Sequence, residues 1–464
     1  MSRPTIGRRL ARVGLALSLG LVVVGIFGLV ATAATPPGFK TTKRAYLVPT
    51  ASGVVTDPIL STGDLVGGYQ MSGIPDGIGA YKDKGDLQVL FNHELGATFP
   101  GNPPGVNARI SKVTLNDKTH GALAGTYLFN GSEGFERFCS STLAVIQGTP
   151  YYLTGEEAIN AGHDGSSIVM NAETGAWTET PQFGHVQHEN VVPVAVKKKF
   201  MIVTTDDDFR AGSPSLLLAY IADSFEGAVS GDPAHGSLYV WKATNPADTP
   251  ATITEGDTIP GEFVPLTQAE NANSSSIKTA AAAKGRFPFS RLEDAAAAEQ
   301  GVVYFADTGK SGDVSDTGRI YRLDIDEQDP TKASLTFLLD SATHGFANPD
   351  NLDVSKSTLV FAEDREAPFR AQYGRVLAYD LHDETLTAVA RVDPTPPLLP
   401  GSWEATGVVD ASKLLGKDWW LVNVQAHGQS APQPGVTLPA AQPTPNTATG
   451  EDGQLLGLYI PHST

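Results

Sequence analysis

The chain has 464 residues, with 51 Asp and Glu against 33 Lys and Arg, a formal charge of −18, and a single cysteine. An acidic balance of this size excludes a nucleic-acid partner, because binding a phosphodiester backbone needs clustered Lys and Arg. One cysteine excludes a disulfide framework within the chain.

The N-terminus reads MSRPTIGRRLARVGLALSLGLVVVGIFGLVATAATPPG. Arg3, Arg8, Arg9 and Arg12 precede an apolar run from Val13, and Ala31 and Ala33 form an A-x-A arrangement. This is the layout of a secretory signal over residues 1–33, either cleaved or kept as an anchor. The adjacent Arg8 and Arg9 also fit a twin-arginine address, the alternative to the Sec route. The expected location is outside the cytoplasm: periplasmic, extracellular or at the cell surface. Without this segment 29 basic residues face 51 acidic ones, a charge of −22. No later stretch is apolar enough to span a bilayer. Residues 34–464 are expected to form one domain, a monomer with no membrane contact beyond the signal or anchor.

Along that domain no helical period is sustained. Short β-rich runs recur between Gly, Asn, Asp and Pro, and they share a form: an apolar strand ends in polar residues, a loop follows, and a second strand opens near Gly or Ser. LQVLFNHE leads to ISKVTLND, PYYLTGEE to SSIVMNA, MIVTTDDD to GSLYVWKA, VVYFADT to GRIYRLDID, TLVFAED to GRVLAYDL, and WLVNVQAH to GQLLGLYI. The strand ends fall at Glu94, Glu157, Asp208, Asp307, Asp364 and His427, spaced by 63, 51, 99, 57 and 63 residues. Several strands per unit at this repeat length predict an all-β fold, a six-bladed β-propeller with loop insertions. The wide gap places an insertion at about 243–287, and a Pro-rich loop is expected at about 428–452. A closing strand near Leu455–Ile460 is expected to seal the ring against an N-terminal strand such as KRAYLVP.

A second series precedes the first. Asp76 lies 18 residues before Glu94, Cys139 18 before Glu157, and Glu189 18 before Asp207; Glu293 lies 14 before Asp307, Asp350 14 before Asp364, and Glu404 19 before Asn423. In a propeller blade both series converge on one mouth of the central channel. Cys139 occupies the slot that the other five units fill with a carboxylate. Two like charges 4 Å apart repel by roughly 4 kcal/mol at an effective dielectric of 20, so such a ring needs cations or protons. All-oxygen groups suit calcium, whereas a thiolate among carboxylates suits a transition metal.

FSRLED sets Arg291 two residues from Glu293 and on the same face of an extended strand. The pair suits an oxyanion held between arginine and metal, and equally an ordinary Arg–Glu ion pair. His93 and His188 directly precede acids and read as packing groups. His427 sits at a strand end and reads as a loop residue or a ligand.

Taken in order, GIPDGIGAY, LFNHELG, the Cys139 segment ending in LTGEE, GHVQHE, FSRLED, NPDNLDV, AEDRE and WEATG with VNVQAH resemble the PhoX family of alkaline phosphatases over nearly the whole exported chain. The resemblance implies a bacterial six-bladed propeller that hydrolyses phosphate monoesters with iron and calcium at one end of its channel. Carried over, Cys139, Glu189 and Glu293 hold iron, and Arg291 binds the phosphate, with Glu293 and Cys139 beside it in the catalytic set. Glu156, Glu157, Asp307 and Asp350 hold calcium, joined by Asn92, Glu94, Asp207 and Glu404. The partner implied is a small phosphate ester. The chain departs from the family where a PWGT-like stretch reads SSTLAVIQGTPYYLTGEE, and where a second cysteine is replaced by Gly155. Two other classes remain open: a non-catalytic calcium-stabilised binding propeller, and a propeller hydrolase of other specificity, acting on phosphodiesters, phytate-like substrates or lactones.

Overall fold

Alternation becomes strands where one face is covered. In Lys332–Asp340 the side chains of Ala333, Leu335, Phe337 and Leu339 are buried while their neighbours stay partly exposed. Leu217–Ala222 is buried at every position, as in a strand covered on both faces. The computed structural model describes residues 37–96, 107–159, 162–210, 212–310, 312–366, 368–396, 398–428 and 451–461. The expected signal at 1–33 and nearly all of the Pro-rich loop at about 428–452 lie outside the described residues.

The fold is all-β and propeller-like. Six strands each open an antiparallel meander: β1 (Pro75–Asp83), β2 (Phe138–Ile146), β3 (His188–Ala195), β4 (Leu292–Ala297), β5 (Pro349–Val354) and β6 (Glu404–Asp410). They pack side by side in that order, and β6 returns against β1. The meanders from β1 and β2 are separate four-stranded sheets. Those from β3 and β4 are not: Thr258–Leu266 pairs with Gly236–Ala243 on one side and Lys332–Asp340 on the other, fusing them into one nine-stranded sheet. The segment at about 243–287 is therefore more than a loop, because Ile259, Gly261 and Phe263 are buried on one face and make a strand of it. It also holds the helix Ser274–Ala283, which buries Ile277 and Ala281 and sets Lys278 Nζ 2.7 Å from Asp208 Oδ2.

The ends of the domain are closed differently from expectation. The C-terminal strand Asp452–Tyr459 pairs with Val55–Ser61, completing the sheet of β6 and Trp419–Ala426. Leu47–Pro49, within KRAYLVP, instead joins the outer edge of the preceding sheet against Leu386–Val392. An edge position tolerates the proline there.

Candidate metal centre

Five of the six inner strands share one irregularity. At the start of β1, β2, β3, β4 and β5, two residues stand opposite one on the next strand: Asp76 and Gly77, Cys139 and Ser140, Glu189 and Asn190, Glu293 and Asp294, Asp350 and Asn351. A bulge of this kind bends the strand and re-aims its side chains. The first residue of each pair lines a cavity of about 680 Å³. The second, where it has a side chain, reaches another inner strand. Ser140 Oγ donates to Glu189 Oε1 at 2.6 Å; Asn351 Nδ2 donates to Ser140 Oγ at 2.8 Å; Asp294 Oδ2 accepts from the Leu352 amide at 3.0 Å; and Asn190 Nδ2 donates to Asp294. In β6 the bulge comes later, after Thr406, and Glu404 stays in register with Gln425.

Gly77 is the one member of this second tier without a side chain. A Cβ there would lie 2.4 Å from Ser141 N and 2.6 Å from Cys139 O, so β1 and β2 approach backbone to backbone just beneath the thiol. Gly77→Ala is expected to cost about 1–3 kcal/mol or more, read as a lower midpoint in chemical denaturation. An unchanged midpoint would show that the two strands can part at no cost.

The cavity wall brings together Asp76, Glu94, Cys139, Glu157, Glu189, Asp207, Glu293, Asp350, Asp364 and Glu404, with Arg137, Arg291 and His427. Four groups of three donors have ligand atoms within 4.8 Å of one another: Asp76, Glu94 and Cys139; Cys139, Glu157 and Glu189; Glu189, Glu293 and Asp350; Asp350, Asp364 and Glu404. Consecutive groups share a residue, so the donors form a continuous arc. Burial, and after it the repulsion between neighbouring carboxylates, pushes Asp76, Glu189, Glu293, Asp350 and Asp364 well above the ordinary carboxyl range. Burial pushes Glu157 up to about 8 against the pull of Arg137, and burial and then Glu157 raise the Cys139 thiol. Convergent, short of positive charge, and buried apart from the partly exposed Asp350 and Asp364, these donors suit divalent cations.

The basic groups on the wall do not make up that shortfall; they hold individual acids in place. Arg137 Nη2 lies 2.9 Å from Glu94 and 2.8 Å from Glu157. Arg291 Nη2 lies 2.7 Å from Asp207 and 3.0 Å from Glu293, and its Nη1 lies 2.7 Å from Glu366. Burial alone would lower the His427 pKa, but hydrogen bonds to Glu404 at 2.8 Å and Glu451 at 2.7 Å hold it well above the usual value.

Nine of the residues singled out from the sequence line this cavity: Cys139, Glu189, Arg291, Glu293, Glu157, Asp350, Glu94, Asp207 and Glu404. Two others are turned away. Glu156 accepts from the amides of Glu136 and Gly165, and Asp307 from those of Ser290, Arg291 and Gly309, so both carboxylates pin loops behind the wall. Asp206 and Glu363 are used in the same way, accepting from Leu216 and from Ala347 and Arg375. Three strand ends thus carry neighbouring acids with opposite duties, Glu156 and Glu157, Asp206 and Asp207, Glu363 and Asp364: the first serves loop amides, and the second serves the cavity. Asn92 is structural, donating to Cys139 O at 2.7 Å and to Thr154 Oγ1 at 2.8 Å. Asp76 and Asp364 belong in the donor set although the sequence reading left them out of it. The signal was present, since both sit at the spacings of the two acidic series. At Gly155, where the family resemblance leads one to expect a second cysteine, a Cβ would lie 2.3 Å from His188 Cβ, so the histidine occupies that space.

No protein-family model matches the chain, and no curated protein matches it. Solved structures do. An α-L-arabinanase from Penicillium chrysogenum is 11% identical with a TM-score of 0.42, covering 87% of this chain and 98% of its own. A thermostable family-43 glycoside hydrolase is 9% identical with a TM-score of 0.38, covering 73% and 99%. An α-L-arabinofuranosidase from Lactobacillus brevis is 13% identical with a TM-score of 0.33, covering 71% and 94%. At these identities and scores the likeness assigns no activity to this chain. The comparisons nevertheless overturn the expected membership of the PhoX family, because no family or curated match supports it and the structures named are glycoside hydrolases. The alkaline phosphatase reading, with a phosphate monoester as substrate, is withdrawn with it. There is a physical reason for the error: the short motifs mark acids at the ends of inner strands, which any carboxylate-lined channel of this kind requires. The arginine assigned to phosphate is enclosed by three carboxylates, surroundings that repel a phosphate dianion.

Proposed function

We propose that residues 34–464 form an exported, monomeric, six-bladed propeller that is a cation-dependent hydrolase of carboxylic esters or lactones. The nine-stranded sheet counts as two blades, opening on β3 and β4. The observation that carries this reading is the arc of four ligand groups with shared members in one cavity. The all-carboxylate groups suit calcium, and the two groups that include Cys139 suit iron. When bound, such cations supply Lewis acidity toward a carbonyl oxygen and acidify water.

The chain's own residues do the rest. Arg291 acts as a positioning residue, fixing Asp207, Glu293 and Glu366 through ion pairs of 2.7–3.0 Å. His427 steadies Glu404 in the same manner. Asp207 and Glu366 lie outside the four ligand groups yet face the cavity, so either can take the proton that water gives up. With Arg137 and Arg291 both enclosed by acids, the reacting group fits best if it is uncharged, which favours an ester carbonyl over a phosphoryl group.

The test begins with protein purified without chelators. Elemental analysis should find calcium and iron, and EDTA should abolish hydrolysis of 4-nitrophenyl acetate and of simple lactones. Bis(4-nitrophenyl) phosphate and 4-nitrophenyl glycosides complete the panel. Turnover of a glycoside in the presence of EDTA overturns the reading, as does protein free of metal. Bound cations with no turnover at all mark a binding propeller instead.

A further inference from the structure

The cavity wall holds a third arginine unlike the other two. Arg370 lies in the short turn Phe369–Ala371, is exposed and lines the cavity. Among the described residues its guanidinium makes no hydrogen bond or ion pair, whereas Arg137 and Arg291 are consumed by carboxylates. Its backbone is held in place. The turn packs on Pro400–Ser402, and a Cβ on Gly401 would lie 2.8 Å from Arg370 Cα and 2.7 Å from Gln372 O. Gln372 Oε1 in turn accepts from Arg365 Nη1 at 3.0 Å. Leu398, Gly401 and Ser402 line the cavity with Arg370, and the nearest acid in the chain, Glu366, is already held by Arg291 at 2.7 Å.

We propose that Arg370 binds an anionic group of the substrate remote from the scissile ester, so that the preferred substrates are esters or lactones carrying a carboxylate. This rests on the hydrolase reading above. A guanidinium presents a planar fork of donors that matches a carboxylate. Set on a fixed backbone and exposed at the edge of the cavity, it receives an anion clear of the carboxylates that would hold the cations. Because the contact is the same in ground and transition states, its loss raises KM and leaves kcat unchanged.

Two measurements on the full chain, purified without chelators and carrying its metals, test this. In the first, mono(4-nitrophenyl) adipate and its neutral methyl ester are compared as substrates. Arg370→Gln should raise KM for the anionic ester about tenfold, a loss of about 1.4 kcal/mol, with KM for the neutral ester and both kcat values unchanged. Arg370→Lys should recover part of the loss. The second measurement is calorimetric binding of adipate itself, which does not depend on turnover. Its affinity should fall about tenfold in Arg370→Gln at unchanged metal content. Equal adipate affinity in wild type and Arg370→Gln, or no adipate binding to wild type, overturns the role of Arg370 whatever the esterase assay returns. An Arg370-dependent adipate site on a protein that cleaves neither ester upholds the anion site and overturns the hydrolase reading alone.

Discussion

Stripped of divalent cations, the protein is expected to lose thermal stability as pH rises from about 5 to about 8, and calcium is expected to restore it. The sign follows from the crowded carboxyls. Glu157 moves from the model-compound value of 4.5 to about 8, and Asp76, Glu189, Glu293, Asp350 and Asp364 move in the same direction. A group that holds its proton more tightly folded than unfolded contributes stability below its unfolded pKa, and that contribution is lost as pH rises through the folded pKa. Several such groups together correspond to a fall in melting temperature on the order of 10 °C across this window. Cations bind only the folded arrangement and stabilise it by mass action, about 4 kcal/mol at a thousand times Kd. The calcium-loaded protein should therefore show a nearly flat profile. A melting temperature in EDTA that stays level or rises over the same interval would mean that these carboxyls are not held together without metal.

Replacing a shared donor is expected to remove two cations where replacing an unshared one removes one. Cys139, Glu189 and Asp350 each belong to two of the four groups, while Glu94, Glu157 and Asp364 each belong to one. Glu189→Gln should therefore lose two equivalents of metal in elemental analysis and Glu94→Gln one. Hydrolysis by Glu189→Gln should fall by at least about a hundredfold, the upper end of what altering groups behind a ligand costs. Glutamine keeps the size of the side chain, and Ser140 Oγ, now 2.6 Å from Glu189 Oε1, can still donate to the amide oxygen. The folded state should accordingly survive. Equal metal loss in the two variants would show that the groups are occupied independently.

The withdrawn phosphatase reading shows how local residue order can mislead. FSRLED correctly places Arg291 beside Glu293, yet the neighbours that decide what the guanidinium can bind are Asp207 and Glu366, 84 and 75 residues away in sequence. Likewise Glu156 and Glu157 are indistinguishable as letters. One is spent on the amides of Glu136 and Gly165, and the other faces Cys139 at 2.7 Å. Arg370 carries no sequence signal at all, because what sets it apart is a guanidinium with no partner among the described residues, on a wall where the other arginines are occupied.

By itself the sequence determined the all-β class, the rhythm of strand-end acids and the slot that sets Cys139 among carboxylates. These follow from alternation, turn residues and spacing, which are local properties of the chain. The tertiary structure alone decided that two meanders merge into one sheet, that Val55–Ser61 rather than Leu47–Pro49 closes against the C-terminal strand, and that five inner strands carry a two-residue bulge at the ligand position. A bulge depends on which residues of the partner strand stand opposite, and strand register is a long-range property. That register sends the first residue of each pair into the cavity and sets the next between the inner strands, and so turns a periodic scatter of acids into a single site.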